Sequence, residues 1–213
     1  MKKLFCLISL LAGAIAAFAQ SPAEIVSRME AEMKKHQKEG LVMTVDSKLP
    51  VIGTVSMKSW TLGEKMRNEA EMMGLKVITW ADATTVWTYT PKTNKLKIDN
   101  FSTGSSSSST EADDDLFFGL KEGYDLSISK ETADAWHIQC KKSKANKDKD
   151  APKTINLVVL KKNYYPKSLS TKASGISLTM RDISFGVNEK FVTFNPDDYP
   201  DAEVEDVRNK KAK

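Results

Sequence analysis

Alternation of apolar and polar residues runs through most of the chain after residue 40 and predicts a mainly β protein. The clearest example is 77–98, where two β-branched and aromatic runs, 77–80 and 85–90, are separated by a short polar break. Such runs predict two antiparallel strands and their turn. Residues 91–94 predict a second turn, since proline fixes φ and asparagine tolerates the left-handed region. A third strand then follows, so this stretch predicts a β-meander.

A different period marks the residues before this β region. Ser21 can cap a helix, Pro22 suits its first position, and Glu24 completes a capping box. Gly40 predicts the end of the helical segment. A single apolar stripe follows the cap at spacings of three and four, formed by Ile25, Val26, Met29 and Met33.

Strand-like alternation fills the rest of the chain and predicts ten or eleven short strands, as in a barrel or sandwich. The apolar positions 176, 178 and 180 have the opposite parity to 183, 185 and 187. One extra residue near Arg181, in a bulge or a turn, would return both sets to one face. Residues 191–195 predict the last strand, and 197–213 predict a polar tail.

A low-complexity loop rich in serine and aspartate covers 102–115 and is too polar to bury itself. The apolar run 116–120 follows at once. Acidic residues favour a helix N-terminus, so we expect a short helix over 111–120 whose apolar end inserts into the body of the protein.

Residues 1–19 have the features of a secretory signal peptide: a basic start, an apolar run and a small-x-small site ending at Ala19. The run is too short to span a membrane comfortably. We therefore expect cleavage after Ala19 and a single domain over 20–213. Cys140 would be the only cysteine left, which excludes an intramolecular disulfide.

Charge and motifs argue against several classes of function. The formal charge of +4 falls to +2 without Lys2 and Lys3, which is too balanced to indicate nucleic-acid binding. No motif for a nucleophile, a phosphate loop or a metal site occurs, so neither an enzyme nor a cofactor is predicted. His137 and Cys140 are three apart in a predicted strand and point to opposite faces. His36 is expected to be solvated, and Arg67 is left open between an outward and a functional side chain.

Two stretches resemble the LolA-like periplasmic carriers of outer-membrane lipoproteins. The first is Trp80-Ala-Asp-Ala-Thr-Thr-Val-Trp-Thr-Tyr-Thr-Pro91, which is similar to a family turn leading into Trp-x-Tyr-x-Pro. The second is Lys190-Phe-Val-Thr-Phe-Asn-Pro196, followed by Val-Glu-Asp-Val at 204–207. The family's Arg-Pro pair after the second long strand is absent at 59–63, and Ala83 stands where the family turn has glycine.

The resemblance implies an incomplete, strongly curved antiparallel β-barrel with helices covering its open side. Its cavity would hold the acyl chains of lipoproteins. The implied protein is a periplasmic monomer that needs no cofactor, takes cargo from an inner-membrane release machinery and delivers it to an outer-membrane acceptor. The alternative is a lipid-sensing or protein-interaction module on the same fold, without transport. Either strand face could line the cavity, and the candidate lining residues are Met57, Ile78, Trp80, Trp87, Tyr89, Phe117 and Phe118.

Overall fold

The alternating residues form one curved, open sheet in the computed structural model, which describes residues 20–101, 117–173 and 175–208. Twelve strands occur in these ranges, and few helices accompany them, so the predicted fold class is confirmed. The strands are β1 Leu41–Leu49, β2 Gly53–Leu62, β3 Lys65–Met72, β4 Leu75–Ala81, β5 Thr85–Thr90, β6 Lys95–Asn100, β7 Tyr124–Glu131, β8 Ala135–Lys142, β9 Thr154–Leu160, β10 Pro166–Ala173, β11 Ile176–Phe185 and β12 Glu203–Asp206. The helices are α1 Pro22–His36, α2 Leu120–Gly123 and α3 Glu189–Val192.

The sheet consists of two antiparallel meanders, β1–β6 and β7–β11, joined where β1 pairs with β11. Strand β12 adds to the outer edge, parallel to β6. The join contains a bulge, because two residues of β11 stand opposite Met43 alone, and Asp182 there has a φ of 55°. The bulge lets Met180 and Ile183 both reach the core, as the parity argument predicted.

Helix α1 lies on the β1 and β7–β11 part of the sheet. Its capping box is formed as predicted, with the Ser21 hydroxyl accepting from the Glu24 N–H at 3.2 Å and the Glu24 carboxylate accepting from the Ser21 N–H at 3.0 Å. The predicted stripe is buried against the sheet, and each of these side chains contributes about 2 kcal/mol of hydrophobic stabilisation. The stripe consists of Ile25, Val26, Met29 and Met33.

The C-terminal segment 188–202 does not form the predicted last strand, and that prediction was wrong. Asn188 accepts from the Lys190 N–H and starts α3, while Asn195 accepts from the Asp197 N–H and starts a 3-10 turn at Pro196–Asp198. These local caps override the weak alternation. Beyond them, β12 occupies part of the predicted tail.

Phe117 and Leu120 are fully buried in the main core, as expected of an apolar insert. Of the helix predicted over 111–120, residues 111–116 lie outside the described residues, and 117–119 form a turn and bend instead, so the helix α2 begins only at Leu120. The predicted loop 102–115 and the predicted signal peptide also lie outside the described residues. Cys140 is buried in the core, and His137 lies on the opposite sheet face, as predicted. Within the described residues, no helix is both long and apolar enough to cross a membrane.

Candidate functional site

The register of the strands divides the sheet into two faces. Directly paired residues point to the same side, so the buried Met43, which faces α1, assigns Ser59 and Asn68 to that side as well. We call the side toward α1 the inner face and the other side the outer face. The assignment continues to Thr79 on β4 and Thr88 on β5.

Three rows of residues cross the inner face of β2–β5. The middle row is polar and consists of Ser59, Asn68, Thr79 and Thr88. Ser59 is 2% exposed and Asn68 is 8% exposed, so this row is buried at its centre. Apolar rows lie on both sides of it: Met57, Ala70 and Val77 on one side, and Met66, Ala81 and Val86 on the other.

Methionine is concentrated between the inner face and α1. Five of the chain's nine methionines lie there, and they differ in burial from complete to partial. An unbranched thioether side chain adapts to irregular apolar shapes better than a branched one. This core is therefore suited to repacking around an apolar guest. The five are Met29, Met33, Met43, Met57 and Met180, while Met66 is buried farther along the inner face, on β3.

A cavity of about 110 Å³ opens where α1 meets β1 and β2. Side chains from the end of α1, from Phe118 and from the sheet line it. The cavity is lined by Met33, His36, Gln37, Gly40, Leu41, Thr61, Gly63, Phe118 and Phe185.

His36 is packed rather than solvated, so the prediction for it was wrong. Its Nε2 lies 2.6 Å from the Tyr165 hydroxyl, and its Nδ1 lies 2.8 Å from the Glu39 carboxylate. Its ring stacks on Phe185 with the centroids 4.8 Å apart. These contacts fasten the end of α1 to the sheet.

The outer face of the β2–β6 half has an aromatic cluster under the C-terminal segment. Phe194 stacks on Trp87 with centroids 5.1 Å apart and meets Trp80 edge-on at 5.6 Å. Tyr199 lies 4.5 Å from Tyr89 and 5.6 Å from Trp80. The aromatic side chains of β4 and β5 therefore pack into a second core together with the C-terminal segment.

Arg67 belongs to this outer cluster. Its guanidinium lies 4.9 Å from the Trp80 ring centroid and 4.0 Å from that of Phe191, and it donates to Glu69 at 2.5 Å. Partial burial raises the pKa of Glu69, but hydrogen bonds from Lys76 and Arg67 outweigh it, so the net pKa is lowered. Only 17% of the Arg67 side chain is exposed, so it does not point outward into solvent, which was one of the two alternatives left open by the sequence.

The seven predicted lining residues are thus divided between two places. Met57, Phe117 and Phe118 lie on the α1 side, whereas Ile78, Trp80, Trp87 and Tyr89 lie on the outer face and cannot line the same cavity. Sequence reasoning missed Ser59, Met66 and Asn68. The alternation along β3, with Met66 and Asn68 on one parity and Arg67 and Glu69 on the other, held a signal for the two β3 residues but none for Ser59 on β2.

In the described ranges, no three His, Cys, Asp or Glu side chains come together in a way that could hold a metal ion.

Comparisons with known proteins give only distant likenesses. No model of a known protein family matches the chain, and no curated protein matches it in sequence. An uncharacterized conserved protein from Thermus thermophilus is 18% identical, with a TM-score of 0.47, over 88% of this chain and 99% of that one. A LolA superfamily protein from Nitrosomonas europaea is 11% identical, with a TM-score of 0.31, over 83% of this chain and 99% of that one. A chain of the MucA/MucB complex from Pseudomonas aeruginosa is 9% identical, with a TM-score of 0.41, over 82% of this chain and 61% of that one. Similarity this low carries no conclusion about what the chain binds.

Proposed function

We propose that the protein binds the acyl chains of lipoproteins between its inner face and α1 and carries them through the periplasm toward the outer membrane. The observation that carries the proposal is the methionine-rich core on that side of the sheet. A side chain that repacks at low cost is what a guest of variable apolar shape requires.

Carrying acyl chains through water is a problem of apolar area. Each methylene left exposed costs about 0.8 kcal/mol, so a lipid-bearing protein does not cross an aqueous compartment unaided. A partner that covers those chains removes the cost, and it must later release them to an acceptor. Tight but reversible burial therefore fits this function better than a permanently dry core.

The cavity beside α1 supports a carrier that opens. Its volume of about 110 Å³ is well below the roughly 300–1,000 Å³ of pockets that hold small molecules. A guest would have to displace Met33 and Phe118 and separate α1 from β1. In this proposal the helix and the 117–120 insert move, while the two meanders keep their shape.

Photo-crosslinking tests which face binds the chains. A benzophenone amino acid would replace Phe118 on the inner side in one variant and Tyr89 on the outer face in the other. Both positions are aromatic and half-buried, so they are matched controls. After illumination with a synthetic palmitoylated lipopeptide, we expect a lipid adduct by mass spectrometry at 118 and none at 89. Adducts at 89 alone, or none at either position, would contradict the proposal.

An assay of lipoprotein release from membranes distinguishes a transport function from a lipid-sensing function. Inner-membrane vesicles loaded with a native lipoprotein and their release machinery would be mixed with the purified protein. A carrier shifts lipoprotein into the soluble fraction in proportion to its concentration. If the crosslink at 118 forms but no lipoprotein leaves the vesicles, the chain is a lipid-binding module without transport.

A further inference from the structure

The buried centre of the polar row contains an unmatched hydrogen-bond acceptor. Asn68 is 8% exposed, and its side-chain oxygen Oδ1 is buried without a hydrogen-bond partner. Buried polar atoms in native proteins are nearly always paired, and the exceptions need an explanation. An asparagine with only a structural role would normally have this oxygen paired with a donor of the protein.

The residues around Asn68 limit which ligand group could donate a hydrogen bond to its Oδ1. Its neighbours across the strands are Ser59 and Thr79, whose hydroxyls can donate or accept. Met57 and Met66 lie in the apolar rows on either side. An acyl chain lying on these rows would bring its polar end group to the middle row, beside one acceptor and two hydroxyls.

A secondary amide matches this arrangement, and an ester does not. An amide has one N–H donor for Asn68 Oδ1 and one carbonyl to accept from Ser59 or Thr79. An ester has only acceptors and would leave Oδ1 unpaired. A carboxylate would place negative charge against a carbonyl dipole.

We infer that Asn68 is a specificity-determining residue that selects acyl chains attached through an amide, by accepting that amide's N–H. The inference rests on the proposed function, because it assigns the polar end of the same binding face. Apolar contact with the two methionine-containing rows binds the acyl chain itself. The Asn68 oxygen makes binding stronger for a chain attached through an amide than for one attached through an ester.

Two probes of almost the same shape test this inference on the unaltered chain starting at residue 20. N-methylpalmitamide and methyl palmitate differ only in N–H against O, and their affinities can be compared by displacement of a fluorescent fatty acid. We expect the amide to bind about tenfold more tightly than the ester, since an ester leaves a buried acceptor unpaired. An amide is harder to remove from water than an ester, so non-specific apolar binding would give the opposite order.

Variants assign the preference to the residue. Asn68→Leu has nearly the same shape and should abolish the tenfold preference, while Thr88→Val, at the half-buried end of the same row, should keep it. Asn68→Leu should also remain folded, because replacing an unpaired buried polar group with an apolar one is close to neutral.

Each outcome has a distinct meaning. If both probes bind the unaltered chain equally, or if Asn68→Leu keeps the preference, the role of Asn68 is refuted and acyl binding stands. If the variant fails to fold, the comparison of probes on the unaltered chain still decides. If neither probe binds, the proposed function fails, and this inference fails with it.

Discussion

Gly40 connects three parts of the molecule that are distant in sequence. It follows α1 with a φ of 79° and ψ of 159°, a combination open mainly to glycine. A Cβ there would lie 2.5 Å from the Thr61 carbonyl oxygen and 2.8 Å from the Val187 Cβ. The Gly40 carbonyl also accepts from the Gly186 N–H at 3.2 Å. The end of the helical segment, β2 and the residues that directly follow β11 thus meet at one residue without a side chain.

The substitution Gly40→Ala should lower the free energy of unfolding by at least about 2 kcal/mol, because it adds backbone strain and a steric overlap with a carbonyl. Gly74→Ala is the matched control. Its φ is also positive, at 73°, but no atom lies within 4 Å of the added Cβ, so only the strain of about 1 kcal/mol remains. Chemical denaturation of both variants measures the difference, and equal losses would mean that the close contact at Gly40 relaxes freely.

The C-terminal segment packs on the strands beneath it through aromatic contacts. It covers Trp80, Trp87 and Tyr89, whose pattern along the sequence predicted β structure correctly. The pattern could not tell which face would be inner, because a period of two is symmetrical between the faces. The pairing of the strands, followed from β1 to β5, decides which face is inner. The alternation within one strand does not contain this information.

Local signals were sufficient where a feature depends on neighbours in sequence. The capping box of α1 and an extra residue near Arg181, in a bulge or a turn, were predicted because each leaves a signal within a few consecutive residues, and the structure shows that the second is a bulge. The last strand was mispredicted because Asn188 and Asn195 start short turns that outweigh three alternating residues. Ser59 and Asn68 were missed because a buried polar row is visible only once β2 and β3 are aligned.

The substitution Phe194→Ala should detach the C-terminal segment from the outer face. Phe194 is only half-buried, so we expect a loss of about 2 kcal/mol, below the 3–5 kcal/mol of a fully buried phenylalanine. Limited proteolysis should then cut within 188–202, and tryptophan emission should shift to longer wavelength as Trp87 loses its stacking partner.

Val204→Ala is the control for that experiment, since Val204 lies on β12 and is 57% exposed. It should leave stability, cleavage and emission almost unchanged. If Phe194→Ala behaves like this control, the aromatic cluster contributes little and the segment is held by its backbone pairing with β6.

The two meanders that make up the molecule share a single antiparallel join between β1 and β11. An ion pair reinforces it on the outer face, where Arg181 Nε donates to Asp46 at 2.6 Å. Hydrogen bonds from Arg181 and Ser56 lower the pKa of Asp46. The sheet therefore depends on one pairing to act as a unit, and the core under α1 spans that pairing.

Cys140 reports on whether the sheet opens as a unit. Burial raises its pKa from 9.0 to about 11, which lowers the thiolate fraction roughly a hundredfold at neutral or mildly alkaline pH, on top of steric protection. In the chain starting at residue 20, we expect a disulfide reagent to react only as the protein unfolds, with a midpoint in urea that matches circular dichroism. Rapid reaction without urea would instead show that β7–β9 open independently.

The β1–β11 join also sets the order in which the molecule can be completed. Leu41 and its partner Phe185 are separated by most of the chain, so closing this contact carries a large entropic cost and favours slow folding. In a chain that emerges N-terminus first, β1–β6 can pair as hairpins early. One side of β1 then stays open, and Trp80 and Trp87 stay bare, until residues beyond 180 arrive. During this stage of synthesis the nascent chain is most prone to aggregate through its unpaired strand. A chaperone that holds unfolded chains would act at this stage.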